Sequence, residues 1–132
     1  MTESKLELVK QAYRMLVKDD YDSFLQLCAP DAEVEYPAAN VTKYGGLWRG
    51  HDGILKFFRT HDGEEEILDV QLKEYLGKDD RVFVLGTFRG RAIPTGRVWE
   101  TKFVHVLTVR NQKIQRLKSY YDTAAAVAAH CQ

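Results

Sequence analysis

Leu6, Val9, Tyr13, Leu16 and Val17 recur at helical spacing near the start of the chain, so one stripe of a 3.6-residue turn is apolar and an amphipathic helix is predicted there. Ser4 followed by Glu7 offers a capping box at its start. After a turn at Lys18-Asp19-Asp20, the segment DYDSFLQLC gives a second short helix, which Pro30 is expected to stop. The period then changes. In AEVEYP, Ala32, Val34 and Tyr36 share one face and Glu33 and Glu35 the other, the alternation of a strand with one wet side. AANVTKYGGLWRG reads as a loop with paired glycines, and Ile54, Leu55, Phe57 and Phe58 restart a helical pattern that ends near His61-Asp62.

From Glu66 onward the chain alternates through about four long strands, broken by turn signals at Gly77-Lys78-Asp79-Asp80, Pro94-Thr95-Gly96 and Asn111-Gln112-Lys113. Strands joined by tight turns make an antiparallel meander. Helices followed by strands define the α+β class, with the helices laid on one face of the sheet. The closing TAAAVAAH is a short alanine-rich helix former, and Asp122 directly before it has the chemistry of its N-cap.

Composition narrows the class of protein. A chain of 132 residues with 45% hydrophobic positions suffices for one domain with a buried core, expected to span residues 1–132. Lys+Arg and Asp+Glu both number 19, and no basic stripe collects the cations, so nucleic acid is not the expected partner. The start MTESKLELVK has no apolar core of a signal peptide and no later run approaches a membrane span. A soluble, cytoplasmic protein without membrane contact is expected. Cys28 and Cys131 form no CxxC pair and read as free thiols, and Asn40-Val41-Thr42 matters as a glycosylation acceptor only in a secreted protein.

In the last strands, Trp99, Thr101, Phe103, His105 and Leu107 fall on one face, and Val98, Glu100, Lys102, Val104 and Val106 on the other. The charged set suits solvent or an interface, which turns His105 inward. Tyr13, Tyr36, Trp48, Trp99 and Tyr121 are candidate pocket walls with polar tips, and each also suits ordinary packing. His51-Asp52 and His61-Asp62 flank a helix without metal-ligand spacing and read as solvated helix ends. Glu64-Glu65-Glu66 reads as a solvated strand entrance. No metal site and no phosphate loop is spelled out.

The whole chain resembles the SnoaL-like and ketosteroid-isomerase-like branch of the nuclear-transport-factor-2-like superfamily. The residues that carry the likeness are FLQLCAPDAEVEYP (Phe24–Pro37), WRGHDGILKFF (Trp48–Phe58) and RAIPTGRVWETKFVHVLTVRNQKIQRLKSYYD (Arg91–Asp122). The resemblance implies a cone-shaped, strongly curved antiparallel sheet, a cystatin-like α+β barrel. Three N-terminal helices enclose a deep apolar pocket, and the protein works without a cofactor, as a homodimer holding a hydrophobic small molecule.

The family's functional residues carry over unevenly. Ketosteroid isomerases place a carboxylate base after the first strand, where Tyr36 stands here, and a protonated acid in the penultimate strand, where His105 stands. SnoaL-type cyclases pair a strand histidine, matched by His105, with an aspartate on the last strand, where Ser119 stands. The Arg-x-Asp pair of the fold's epoxide hydrolases is replaced by Gly86-Thr87-Phe88. The resemblance therefore nominates His105, Tyr13, Tyr36 and Asp122 as catalytic candidates, with Trp48, Phe58, Trp99, Phe103, Ser119 and Tyr121 around the ligand. Two functions remain open: an isomerase, cyclase or lyase acting on a small carbonyl compound through His105, with the imidazole as acid/base or oxyanion donor, and a non-catalytic binder of a hydrophobic molecule.

Overall fold

The computed structural model describes residues 2–131. In chain order the elements are α1 (Thr2–Val17), α2 (Tyr21–Gln26), β1 (Cys28–Tyr36), β2 (Gly46–Arg49), α3 (Gly50–Glu64), β3 (Glu65–Lys78), β4 (Arg81–Ala92), β5 (Val98–Arg110), β6 (Lys113–Tyr121) and α4 (Thr123–His130). The class is α+β, as expected. One open six-stranded sheet runs in the order β2-β1-β6-β5-β4-β3.

Four of its five pairings are antiparallel; β1 and β6 run parallel, because the chain leaves β1, builds the meander and returns beside it. Register shifts interrupt β3–β4 at Ile67/Asp69 and Leu72/Glu74, and β1–β6 between Cys28 and Glu33. Each bulge bends its strand, and together they curve the sheet around the helices. Gly86 serves the second of them: a Cβ there would lie 2.2 Å from the Gln71 carbonyl oxygen, so only glycine lets β3 press so close.

Several local expectations shift. α1 already runs from Thr2, so Ser4 and Glu7 lie inside it rather than at a capping box. The second helix ends at Gln26, and Pro30 sits within β1, where the ladder to β6 is interrupted and no N–H is needed. β2 forms inside the segment expected to be loop, pairing Trp48 with Val34. The β5–β6 turn has Asn111 at φ 53 and Gln112 at φ 61, both left-handed as a type I′ hairpin requires.

The main core joins Val9, Ala12 and Tyr13 of α1 to Ile54 and Phe57 of α3 and to Val84 and Leu107 of the sheet. A smaller cluster packs Ala126 and Ala129 of α4 against Ala92 and Trp99. Cys28 is buried and Cys131 exposed, and both are free. Among the described residues no helix is long and apolar enough to cross a membrane.

Candidate functional site

The helices cover only part of the concave face, and a cavity of about 550 Å³ remains between them and the sheet. Strand alternation sends Trp99, Thr101, Phe103 and His105 of β5 into it, and Ser119 and Tyr121 of β6 join them. The register explains the grouping, since His105 pairs with Ser119 and Phe103 with Tyr121. Tyr36 closes one side from the end of β1, Tyr13 reaches in from α1, and Phe57, Phe58 and His61 face it from α3.

Two expected members lie elsewhere. Asp122 is exposed and caps α4, its carboxylate accepting from Ala125 N at 3.1 Å; it does not line the cavity. Trp48 packs behind the wall, its Nε1 donating to the Tyr44 carbonyl at 3.1 Å and its ring 5.9 Å from that of Phe57. The short strand β2 turns it away from the cavity.

At the inner wall the Tyr13 hydroxyl lies 2.5 Å from His105 Nδ1. Burial raises the Tyr13 phenol well above its ordinary value, with Tyr36 and Tyr75 adding to the effect, so the phenol keeps its proton. Burial also pushes the His105 imidazole down to about 3. Both groups are neutral, and the arrangement that gives the phenolic hydrogen an acceptor has Tyr13 donating to Nδ1, which leaves the ring proton on Nε2. Nε2 has no protein partner among the described residues and is not sealed from the cavity. In that tautomer it is a hydrogen-bond donor open to the cavity.

The phenols of Tyr36 and Tyr121 and the imidazole of His61, which also line the cavity, are uncharged as well. Burial pushes Tyr36 up to about 12, only partly offset by the Ser119 hydroxyl, which stands near it outside hydrogen-bonding geometry. Burial, then the neighbouring Tyr36, raises Tyr121, whose oxygen approaches Tyr44 without meeting bond geometry. His61 is held down to about 4 by burial first and by His130 second. The carboxylates that touch the cavity, Asp19, Asp62 and Asp69, are exposed. Tyr21 stands between two of them, its hydroxyl donating to Asp62 at 2.6 Å with Asp19 3.3 Å from the same oxygen.

Behind the wall lies a buried carboxylate. Glu65, 3% exposed, accepts from Trp99 Nε1 and from the Tyr44 hydroxyl, and His130 Nε2 of α4 meets its second oxygen. The solvated strand entrance expected at Glu64-Glu65-Glu66 is thus wrong at its middle residue, because β3 begins there and turns that side chain inward. Glu66 does stay at the surface, paired with Arg91. The solvated end expected at His61 is also corrected: Ile54, Phe57, Phe58 and His61 share one helical stripe, a signal already present in the sequence. No sequence signal joins Glu65 to His130, which lies 65 positions away.

A model of the SnoaL-like domain matches residues 9–117. An NTF2-like protein from Burkholderia xenovorans LB400 superposes with a TM-score of 0.90 at 27% identity, over 98% of each chain. TerC, co-crystallised with polyporic acid, superposes with a TM-score of 0.83 at 26% identity, over 98% of this chain and 99% of its own. An uncharacterized protein of Mycobacterium tuberculosis is 26% identical over 125 residues, 94% of this chain and 93% of that protein.

Proposed function

Since the chain belongs to the SnoaL-like domain family, we propose that it is a single-domain, cytoplasmic, cofactor-independent isomerase or cyclase for a small, mostly apolar carbonyl compound, with His105 polarising the carbonyl. The observation that carries this reading is the Tyr13–His105 contact of 2.5 Å; with the phenol donating to Nδ1, an imidazole kept neutral by burial carries its proton on Nε2. A donor held in a dry, preorganised wall stabilises charge developing on a carbonyl oxygen far better than the same group in water. Tyr36, protonated and beside the ring, is the second donor. The cavity volume falls in the range of small-molecule sites. The co-crystal of TerC with polyporic acid supports an organic ligand here.

Phe103 packs 4.5 Å from the His105 ring and Trp99 lies 5.8 Å from Tyr121, which gives a flat ligand aromatic walls to stack on. The homodimer implied by the family would use the outer face of the sheet, where Val98 is 44% and Tyr120 49% exposed. A sedimentation measurement of mass decides that point.

A bound ketone reports the polarisation directly. 2-Tetralone is a suitable probe, and its carbonyl stretch in complex with the wild type is expected to fall below its value in cyclohexane, with His105→Leu cutting the shift to what Tyr36 alone gives. Bound 2-tetralone with the same stretch in both proteins would contradict the assignment. The binder reading is favoured by one observation: among the described residues, the carboxylates that line the cavity, Asp19, Asp62 and Asp69, are all exposed. Polarisation without turnover of any ketone would select it.

A further inference from the structure

Aromatic rings wall the cavity from helices and sheet alike: Tyr13 of α1, Tyr36 of β1, Phe57 and Phe58 of α3, Trp99 of β5 and Tyr121 of β6. Among the described residues no lysine or arginine lines it, and burial holds the imidazoles of His61 and His105 neutral. The charged groups that do reach it are the exposed carboxylates of Asp19, Asp62 and Asp69 at its mouth. None of the three is in an ion pair among the described residues. Nearby cations are engaged elsewhere. Arg14 pairs with Glu7 at 3.0 Å, and Arg89, the cross-strand neighbour of Asp69, lies 3.4 Å from Glu100. Lys18 lines a separate groove with Lys10 and Tyr75.

The mouth combines these carboxylates with π faces. The Tyr21 hydroxyl donates to Asp62 at 2.6 Å with Asp19 3.3 Å from the same oxygen, and the Tyr21 ring lies flat on Phe58, centroids 4.6 Å apart and 2° from parallel. Rings beside fixed carboxylates attract a protonated or quaternary amine through the quadrupole and the anions together. Deeper in, Ser119 Oγ, in a residue 2% exposed, and the Tyr121 hydroxyl are buried without a partner among the described residues, on the wall of the same cavity. Buried hydroxyls left unpaired mark a wall that a bound molecule completes.

We propose that the cavity takes a cationic ligand, a flat, mostly apolar amine whose ammonium sits at the mouth between Tyr21, Phe58, Asp19 and Asp62 while its body lies among the inner rings. This rests on the reading above for the ligand's other end, a carbonyl facing His105, and adds the sign of its charge. The carboxylates act as a filter. They draw cations in and repel carboxylic acids and phosphates of the same shape, a discrimination that an apolar wall alone does not make.

Phenyltrimethylammonium and tert-butylbenzene test this, because they share size and shape, differ in charge and carry no carbonyl. An apolar cavity without the filter favours the hydrocarbon by far, since the cation gives up more hydration on entry. By NMR titration at low salt, the wild type is expected to bind the cation at least as tightly as the hydrocarbon. Asparagine tolerates the left-handed φ of 57 at position 19, so Asp19→Asn and Asp62→Asn can be combined. That double variant is expected to lose about tenfold in affinity for the cation and to keep its affinity for tert-butylbenzene. Raising salt to about 0.5 M should weaken only the cation in the wild type, a readout that holds even where the variant fails to fold. Tighter binding of the hydrocarbon by the wild type, cation binding indifferent to salt, or an equal effect of the substitutions on both probes in a folded variant would each overturn the proposal. Rejection of the cation beside a bound, infrared-shifted 2-tetralone would sink the filter and leave the carbonyl reading standing; a bound cation beside unshifted 2-tetralone would do the reverse.

Discussion

Tyr13 and His105, separated by 92 positions in the chain, meet at 2.5 Å across the layer between the first helix and the fifth strand. The contact couples fold to chemistry. The amphipathic stripe that buries α1 also delivers the phenol that sets the histidine tautomer.

Removing that phenolic oxygen tests the coupling. Tyr13→Phe keeps the ring contact with Tyr75 at 6.3 Å but frees Nδ1 to take either tautomer. The carbonyl shift of bound 2-tetralone is expected to shrink without vanishing, and urea titration to show a loss of about 1 kcal/mol. A full wild-type shift in Tyr13→Phe would mean that something else orients the imidazole.

Acid should weaken the fold through the two buried imidazoles. Both titrate near 6.5 when unfolded but are held at about 4 for His61 and about 3 for His105 in the fold. Between those values the unfolded chain binds protons that the native state excludes, so stability falls as pH drops, by about 1.4 kcal/mol per pH unit for each imidazole. Above 6.5 neither contributes a slope. Denaturant midpoints measured between about pH 6 and pH 5 should respond more shallowly in His105→Gln than in the wild type; an unchanged slope would show that the ring is already protonated in the fold.

Glu65 ties the last helix to the sheet. Glu65→Leu leaves Trp99 Nε1, Tyr44 and His130 without their acceptor, and a loss of about 3–5 kcal/mol is expected by thermal unfolding. Hydrogen exchange should accelerate first in α4, which His130 anchors.

Asp122 supplies the contrast. Its carboxylate caps α4 and stands outside the cavity, so Asp122→Ala should cost about 1 kcal/mol of stability. The affinity for 2-tetralone should not change. A large loss of binding would place the carboxylate in the site.

Much of this was legible in the chain because periodicity is local. The two-residue alternation around His105 puts that ring on the inner face, and register then brings Ser119 opposite it. Trp48 was misplaced because a four-residue strand between glycines carries too little pattern to separate from a loop. His61 was misread for a different reason: its aspartate neighbour suggested solvent, although the stripe with Ile54 and Phe57 pointed inward. The Glu65 cluster lay beyond local reasoning, since its partners come from a loop, a central strand and the terminal helix. Three adjacent glutamates do not reveal which one is buried.

The most direct test of the site is 15N NMR of the His105 ring at about pH 6, below the ordinary midpoint of histidine. A pyridine-type Nδ1 and a pyrrole-type Nε2 are expected, with 2-tetralone moving the Nε2–H signal. An imidazolium spectrum, or a proton on Nδ1 instead, would contradict the assignment of this histidine as a neutral donor.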